Sequence, residues 1–241
     1  MLGLLLIIVV SWALLSLIEK QNITVLGMVP TVSHMVQFTV GLVFIILISL
    51  MTIYLESMVL DIDWVLQSKI SCRVIFEAII YHFKSALTED LVFRGAILYI
   101  LIKRLGAPWA LLVSALCFGV YHVFSYGMIG GRVIPIVYVI VVTGFAGYVW
   151  AYAFYKTSSI MMALGFHLGV NLINACFFEN EPYGELIFTE ISRTPISEWP
   201  NLLLQIVKGV LPSILTLIFV KLILKYHSKT FQINNVGDES H

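Results

Sequence analysis

Long apolar runs separated by short polar stretches dominate the chain. The apolar blocks run near residues 1–18, 37–55, 73–102, 107–126, 132–155, 158–178 and 200–225. An α-helix needs about 20 mostly apolar residues to cross the roughly 30 Å of hydrocarbon in a bilayer. The pattern therefore predicts an all-α fold, a polytopic transmembrane helical bundle of about seven spans, within a range of six to eight.

The composition supports a membrane protein and excludes several other classes. Hydrophobic residues make up 60% of the 241 residues and charged residues 12%, whereas soluble domains have roughly 45–50% and about 25%. The mean hydropathy is +0.97. Fourteen basic residues balance fourteen acidic ones, so no nucleic-acid partner is expected. The three cysteines lie far apart without a C-x-x-C, which excludes a disulfide framework and a thiolate zinc site.

The spans are expected to form one domain. Residues 1–225 are predicted to be a single transmembrane domain, and residues 226–241 a polar C-terminal tail. The first block lacks a basic segment and a cleavage pattern, so we interpret it as a retained span. Residues 56–69 are predicted to be an interfacial loop or a short amphipathic helix. Residues 179–199, which carry five glutamates, are predicted to be a loop.

Basic residues in the loops indicate how the bundle is inserted. In a seven-span arrangement, most of them fall on one side, opposite the two acidic loops. These residues are Lys20, Lys103, Arg104, Lys156, Lys221, Lys225 and Lys229. Four others dissent: Lys69, Arg73, Arg132 and Arg193. Because cytoplasmic loops carry the excess of Lys and Arg, the C-terminus is expected in the cytoplasm.

Several ionisable residues lie inside the predicted spans, where a charge costs at least a few kcal/mol and marks a candidate functional site. Asp90 and Arg94 are spaced i,i+4 and can form an ion pair on one helix. Glu89 lies one position round the helix and has no such partner. A carboxylate in an apolar setting is suited to act as a general base or acid.

Candidate partners for Glu89 lie on two later spans. His122 lies in the fourth block, and His167 and Asn171 share one face of the sixth. At about 1.5 Å per residue, Glu89 and His122 lie roughly 22 and 21 Å from helix ends on one side of the bundle. His167 and Asn171 lie roughly 14 and 20 Å from the corresponding end of their helix. All four are therefore expected at similar depth, in the half of the membrane away from that side.

Structural interpretations of these residues stay open at this point. An intramembrane histidine can serve as a helix–helix hydrogen-bonding residue, and a pair such as Asp90–Arg94 is usually structural. Gly165 and Gly169 form a small-xxx-small pair that predicts the close approach of another helix. From the residues alone, an enzyme, a proton-coupled carrier and a metal transporter all remain possible.

Three segments resemble the signature of the CPBP family of intramembrane proteases, the CAAX- and bacteriocin-processing enzymes also called the Abi family. That signature is Glu-Glu-x-x-x-Arg, then Phe-x-x-x-His, then His-x-x-x-Asn or Asp, each on a transmembrane helix. Here the motifs are Glu89-Asp90 with Arg94, Phe118 with His122, and His167 with Asn171. The resemblance covers about residues 85–175, the motif core of a protease-like domain. Asp90 replaces the usual second glutamate, which puts a direct catalytic role of that position in doubt.

The resemblance implies a glutamate-dependent endopeptidase that hydrolyses a peptide bond in or near the membrane. Glu89 would take a proton from a water that His122 holds. His167 and Asn171 would donate hydrogen bonds to the developing oxyanion. Each of these four residues is therefore a candidate catalytic residue.

Supporting roles and the absence of a cofactor are also implied. Arg94 would hold Asp90, and Phe118 would support the site. Two histidines and a carboxylate could in principle bind zinc, but there is no His-Glu-x-x-His and Asn171 is a poor zinc ligand. We therefore expect no metal and no other cofactor.

The expected partners are the lipid bilayer and a membrane-anchored protein or peptide substrate, either a C-terminal anchor or sorting segment or a peptide precursor. A small single-domain chain of this type is expected in a bacterial inner membrane. One alternative is a non-enzymatic bacteriocin self-immunity or scaffold protein. Another is a proton- or metal-coupled transporter, although the sequence shows no repeat symmetry of the kind transporters use.

Overall fold

The computed structural model describes residues 2–226 as a helical bundle. Its helices are α1 (Leu2–Glu19), α2 (Val32–Leu60), α3 (Cys72–Arg94), α4 (Ala96–Leu105), α5 (Ala107–Ser125), α6 (Val133–Thr157), α7 (Met161–Phe177) and α8 (Glu198–Tyr226), with a short 3-10 helix at Ile23–Leu26. Helices α1, α2, α5, α6 and α8 are long and apolar enough to cross a membrane. The predicted helical membrane bundle is confirmed. Of the predicted tail, residues 226–241, Tyr226 is the last residue of α8 and residues 227–241 lie outside the described residues.

The third predicted span, over 73–102, is wrong as a single helix. It divides at Gly95 into α3 and α4. The backbone folds back so closely there that a Cβ on Gly95 would lie 2.1 Å from the carbonyl oxygen of Leu91. Only glycine fits this junction without moving the backbone. The roughly 22 Å estimated for Glu89 along an unbroken helix therefore does not apply.

The two acidic connections form a small antiparallel sheet. Strand β1 (Asp63–Leu66) pairs with β2 (Phe188–Ser192), and Trp64 lies opposite Glu190. The loop or amphipathic helix predicted for 56–69 is therefore wrong, because α2 continues to Leu60 and β1 follows. The loop predicted for 179–199 likewise contains β2 and the start of α8. The sheet ties the α2–α3 connection to the α7–α8 connection.

The connections fall into two groups at opposite ends of the bundle. At one end, Glu19 of α1 lies 3.4 Å from Lys103 Nζ and 3.0 Å from Arg104 Nη2 of α4. At the same end, the backbone N–H of Ile160, just before α7, donates to the carbonyl of Leu26. The other end, called the sheet end below, contains β1, β2 and the loop 178–187. This grouping agrees with the expectation that seven successive spans run in alternating directions. Helices α3 and α4 together correspond to one of those spans.

Helix α7 lies at the centre of the bundle and packs closely against α2. A Cβ on Gly165 would lie 2.4 Å from the carbonyl oxygen of Phe38, and one on Gly169 would lie 2.3 Å from Ile45 Cγ2. The close approach predicted from the two glycines is confirmed, and its partner is α2. Side chains of α7 are thereby held in the interior, away from lipid.

Candidate active site

Three titratable side chains from different helices meet in the bundle. Glu89 lies on α3, His122 on α5 and His167 on α7. The Nε2 atoms of His122 and His167 lie 4.0 and 3.7 Å from the same atom, Glu89 Oε2. Both imidazoles therefore present the same ring nitrogen to one carboxylate oxygen.

The two oxygens of Glu89 have different surroundings. The Ser85 hydroxyl, one turn earlier on α3, lies 3.3 Å from Oε1 and donates to it. Oε2 is buried and accepts no hydrogen bond from any side chain or backbone group of residues 2–226. Its separations from the two histidine nitrogens are too long for direct hydrogen bonds. They are distances that one bridging water spans.

His122 is oriented by its own helix. Its Nδ1 lies 2.8 Å from the carbonyl oxygen of Phe118. Because a carbonyl can only accept, Nδ1 carries the hydrogen, and Nε2 of the neutral ring is an acceptor that faces Glu89. The ring of Phe118 also packs edge-on against His122 and His167, with centroid distances of 4.4 and 6.0 Å. Phe118 thus positions both imidazoles.

The predicted Asp90–Arg94 ion pair is present, and it extends to a third residue. The two side chains are fully buried, with 2.5 Å between Nη1 and Oδ1. The same Asp90 oxygen lies 3.3 Å from Nδ1 of His167. The guanidinium lies 4.0 Å from the ring centroid of Phe118 and 4.9 Å from that of Trp150. Helical spacing predicts the pair within α3 but gives no sign of the contact to α7.

Trp150 and Ser85 are site residues that sequence reasoning missed. The indole of Trp150, on α6, packs over the ring of His167 with centroids 4.7 Å apart and an interplanar angle of 31°. A tryptophan in an apolar run carries no motif that would single it out. Ser85 could have been found from its i,i+4 spacing to Glu89.

A cavity of about 300 Å³ lies beside Trp150, His122 and His167, and Glu89 is not among the residues that line it. Its walls come from α2, α5, α6, α7 and α8, and they include His122, His167 and Asn171. It continues to Tyr126 and Glu181 at the sheet end. Burial raises the pKa of the Glu181 carboxyl above its ordinary value, and burial, aided by nearby Glu181, raises the pKa of Tyr126 to about 12. Asn171 thus lies in the cavity wall, one turn beyond His167.

The fit of a metal ion can be tested on the donor atoms. No group of three or more His, Cys, Asp or Glu side chains in the described part of the chain is arranged to hold one. The Nδ1 atoms of His122 and His167 are engaged by Phe118 and Asp90, an arrangement that leaves both Nε2 atoms available as ligands. The mechanism below uses no metal.

Comparison with known proteins adds a finding for the middle of the chain. Residues 71–173, from the start of α3 into α7, match the family model described as type II CAAX prenyl endopeptidase Rce1-like. The resemblance to the CPBP family is thereby confirmed. All of the motif residues lie within the matched segment. The family supports a CAAX-type intramembrane protease in general terms, with a protein or peptide substrate. Neither the curated proteins nor the solved structures contain a match to the chain.

Proposed function

We propose that the protein is a glutamate-dependent intramembrane endopeptidase in which Glu89 activates the attacking water. The observation that carries the proposal is the approach of two Nε2 atoms, from His122 and His167, to the buried Oε2 of Glu89 at 4.0 and 3.7 Å. A purely structural ion pair with Glu89 would need only one imidazole, whereas here two imidazoles from separate helices approach the same carboxylate oxygen. The arrangement suits a small molecule held between a base and two further polar groups.

The protonation state of His122 supports a water at this position. Its Nε2 and the Oε2 of Glu89 are both acceptors, so they cannot hydrogen-bond to each other. One water can donate a hydrogen to each of them, which leaves its oxygen lone pairs free for attack. As that oxygen attacks the peptide carbonyl, Glu89 takes a proton, and general-base assistance of this kind contributes about 10²–10⁴-fold.

His167 and Asn171 are proposed to stabilise the oxyanion. With Nδ1 directed at Asp90, His167 can donate from Nε2 only when the ring carries both protons. The four charges of the site then sum to zero, because the positive charge of Arg94 offsets the negative charge of Asp90 and the imidazolium of His167 offsets the carboxylate of Glu89. The Asn171 amide, one turn further along α7, supplies a second donor. In a buried site, loss of one such donor typically lowers kcat by about 10²–10³-fold.

Completion of hydrolysis needs one more proton transfer. The proton that Glu89 takes from water passes to the leaving amine as the carbon–nitrogen bond breaks. The water oxygen remains in the new carboxylate, and Glu89 is regenerated. Asp90, Arg94 and Phe118 act here as positioning residues that fix the two imidazoles.

The substrate is proposed to be a membrane-anchored protein or peptide that enters from the sheet end. The cavity reaches Tyr126 and Glu181 there, whereas Lys103, Arg104 and Lys156 lie at the opposite end. We place that opposite end, with the C-terminus, in the cytoplasm of a bacterium. An extracytoplasmic sheet end favours removal of anchor or sorting segments, or maturation of exported peptides.

The test is cleavage of a library of anchored reporter substrates co-expressed in membranes. Glu89→Gln, His122→Ala and His167→Ala are expected to lower cleavage at least 100-fold, while each variant stays folded in detergent. Glu77→Gln is the matched control, because Glu77 lies on the same helix in an exposed ion pair with Arg73. It should leave cleavage unchanged.

Other outcomes have distinct meanings. Cleavage that survives Glu89→Gln rejects the mechanism. A cellular immunity phenotype that persists in Glu89→Gln, without cleavage by the wild type, favours a non-enzymatic immunity or scaffold protein. Ion flux into proteoliposomes that disappears in His122→Ala favours a transporter.

A further inference from the structure

A lysine outside the motifs lines the same cavity as His122, His167 and Asn171. Lys208 lies on α8, beyond the family-matched segment 71–173. Its ammonium forms an ion pair with Glu56 of α2, which is 1% exposed, while the lysine side chain is 21% exposed. Lys208 lines the cavity, whereas Glu56 is not among the lining residues. The lysine therefore contacts both a buried carboxylate and the cavity.

Helix packing alone gives little reason for this pair. Buried ion pairs are often no more stabilising than apolar side chains of similar volume, because desolvation offsets the attraction. Ionisable groups inside a membrane bundle are functional candidates by default. Here the cation is further stabilised by the ring of Phe178, whose centroid lies 5.5 Å from Nζ. The surroundings thus keep a charged ammonium at the cavity wall.

The ammonium has capacity for a further ligand. A lysine carries three N–H donors. Within residues 2–226, its partners are the carboxylate of Glu56 and the ring of Phe178. Donors therefore remain for an anion in the cavity. The other carboxylate in the cavity wall, Glu181, accepts a hydrogen bond from Asn174.

We infer, on the basis of the proposed peptidase function, that Lys208 binds a carboxylate group of the substrate. A carboxylate is the anion that a peptide carries, at its C-terminus or on Asp and Glu side chains. The cavity of about 300 Å³ lies at the small end of the roughly 300–1,000 Å³ range for ligand pockets. A carboxylate at Lys208 would fix which nearby peptide bond lies against the part of the wall formed by His122 and His167.

The experiment measures binding first. The probes are lipid-anchored synthetic peptides in matched pairs that differ in one carboxylate. In one pair the C-terminal acid is replaced by the C-terminal amide, and in the others Asp is replaced by Asn or Glu by Gln, one position at a time. The protein is full-length Glu89→Gln in detergent, which does not turn over under the proposed function. Lys208→Met alone would leave Glu56, which is 1% exposed, with only Arg193 at 3.9 Å as an ion-pair partner, so the variant used is Glu56→Gln/Lys208→Met. Glu56→Gln alone keeps the lysine, and Lys221→Met, at an exposed position on α8, is the matched control.

One class of acid probe is expected to bind about tenfold or more tightly than its neutral partner, as for a hydrogen bond to a charged group. The preference should persist in Glu56→Gln and Lys221→Met, and the ratio should fall to about one in Glu56→Gln/Lys208→Met. Whether the C-terminal or a side-chain pair shows it identifies the source of the carboxylate. Equal binding of every pair, or a preference that survives loss of Lys208, overturns the inference and indicates a purely structural ion pair.

Cleavage of the same peptides by the wild-type protein separates this inference from the proposed function. Lys208-dependent binding without cleavage leaves a carboxylate site and rejects the peptidase. Cleavage without any acid preference supports the peptidase and rejects the role of Lys208.

Discussion

Removal of Asp90 is expected to destabilise the protein far more than removal of an equivalent surface carboxylate. The guanidinium of Arg94 is fully buried, and Asp90 is its hydrogen-bond partner. Its Nε and Nη2 make no hydrogen bond with any group in residues 2–226. In Asp90→Ala, the charge would be left facing only the rings of Phe118 and Trp150.

The size of the effect follows from the burial of the pair. Loss of one partner of a buried ion pair costs about 3–5 kcal/mol. For a chain of this size, each kcal/mol shifts the unfolding midpoint by about 2–4 °C. Asp90→Ala is therefore expected to lower the midpoint in detergent by about 6–20 °C, measured by tryptophan fluorescence during heating.

The same helix supplies the control. Arg73 and Glu77 have the same i,i+4 spacing, but their side chains are 86% and 43% exposed. An exposed pair contributes at most about 1 kcal/mol, so Glu77→Ala should shift the midpoint by no more than a few degrees. Asp90→Ala/Arg94→Met removes both charges and should recover most of the loss. An Asp90→Ala midpoint equal to that of the wild type, or a double variant no more stable than Asp90→Ala, would refute the assigned role of the buried pair.

Three further predictions follow. Gly165→Ala should push α2 away from α7, because the new Cβ would lie 2.4 Å from the carbonyl oxygen of Phe38. We expect the free energy of unfolding to fall by about 1–3 kcal/mol. Gly3→Ala, where the surrounding space is open, should cause no such loss. Burial raises the pKa of Glu181 above its ordinary value of 4.5. The free energy of unfolding should therefore fall as pH rises from 4.5 through the folded-state pKa. In Glu181→Gln, the unfolding midpoint should not show this decrease with pH. Cleavage by the wild type should be unchanged after treatment with a zinc chelator; loss of activity restored by zinc would contradict the metal-free mechanism.

Local patterns in the sequence predict the helices and the pairs within them. Apolar blocks locate the spans, and i,i+4 spacing gives Asp90 with Arg94 on α3. Such patterns do not predict the break at Gly95, because the apolar run continues through it and glycine is common in membrane helices. They do not predict the sheet either, because its two strands are far apart in sequence.

Contacts between helices limit prediction of the site itself. Positions along the predicted helices place Glu89, His122 and His167 at similar depth. The break at Gly95 invalidates the distance used for Glu89, but the structure does bring the three together. Their catalytic roles stay predictions. The sequence could not show that Asp90 also contacts His167, since nothing local relates α3 to α7. Glu56 falls in the segment predicted to be an interfacial loop or a short amphipathic helix, yet it is buried within α2, where it pairs with Lys208 of α8.

The walls of the cavity come partly from the family-matched segment 71–173 and partly from helices outside it. Glu89, His122 and His167 lie within residues 71–173, whereas α2 and α8, which form much of the wall, lie outside that segment. Substitutions on the inner faces of α2 and α8 can therefore change the shape and charge of the cavity while the candidate catalytic residues stay fixed. If the proposed function holds, substrate preference can diverge through α2 and α8 while the segment 71–173 keeps its chemistry.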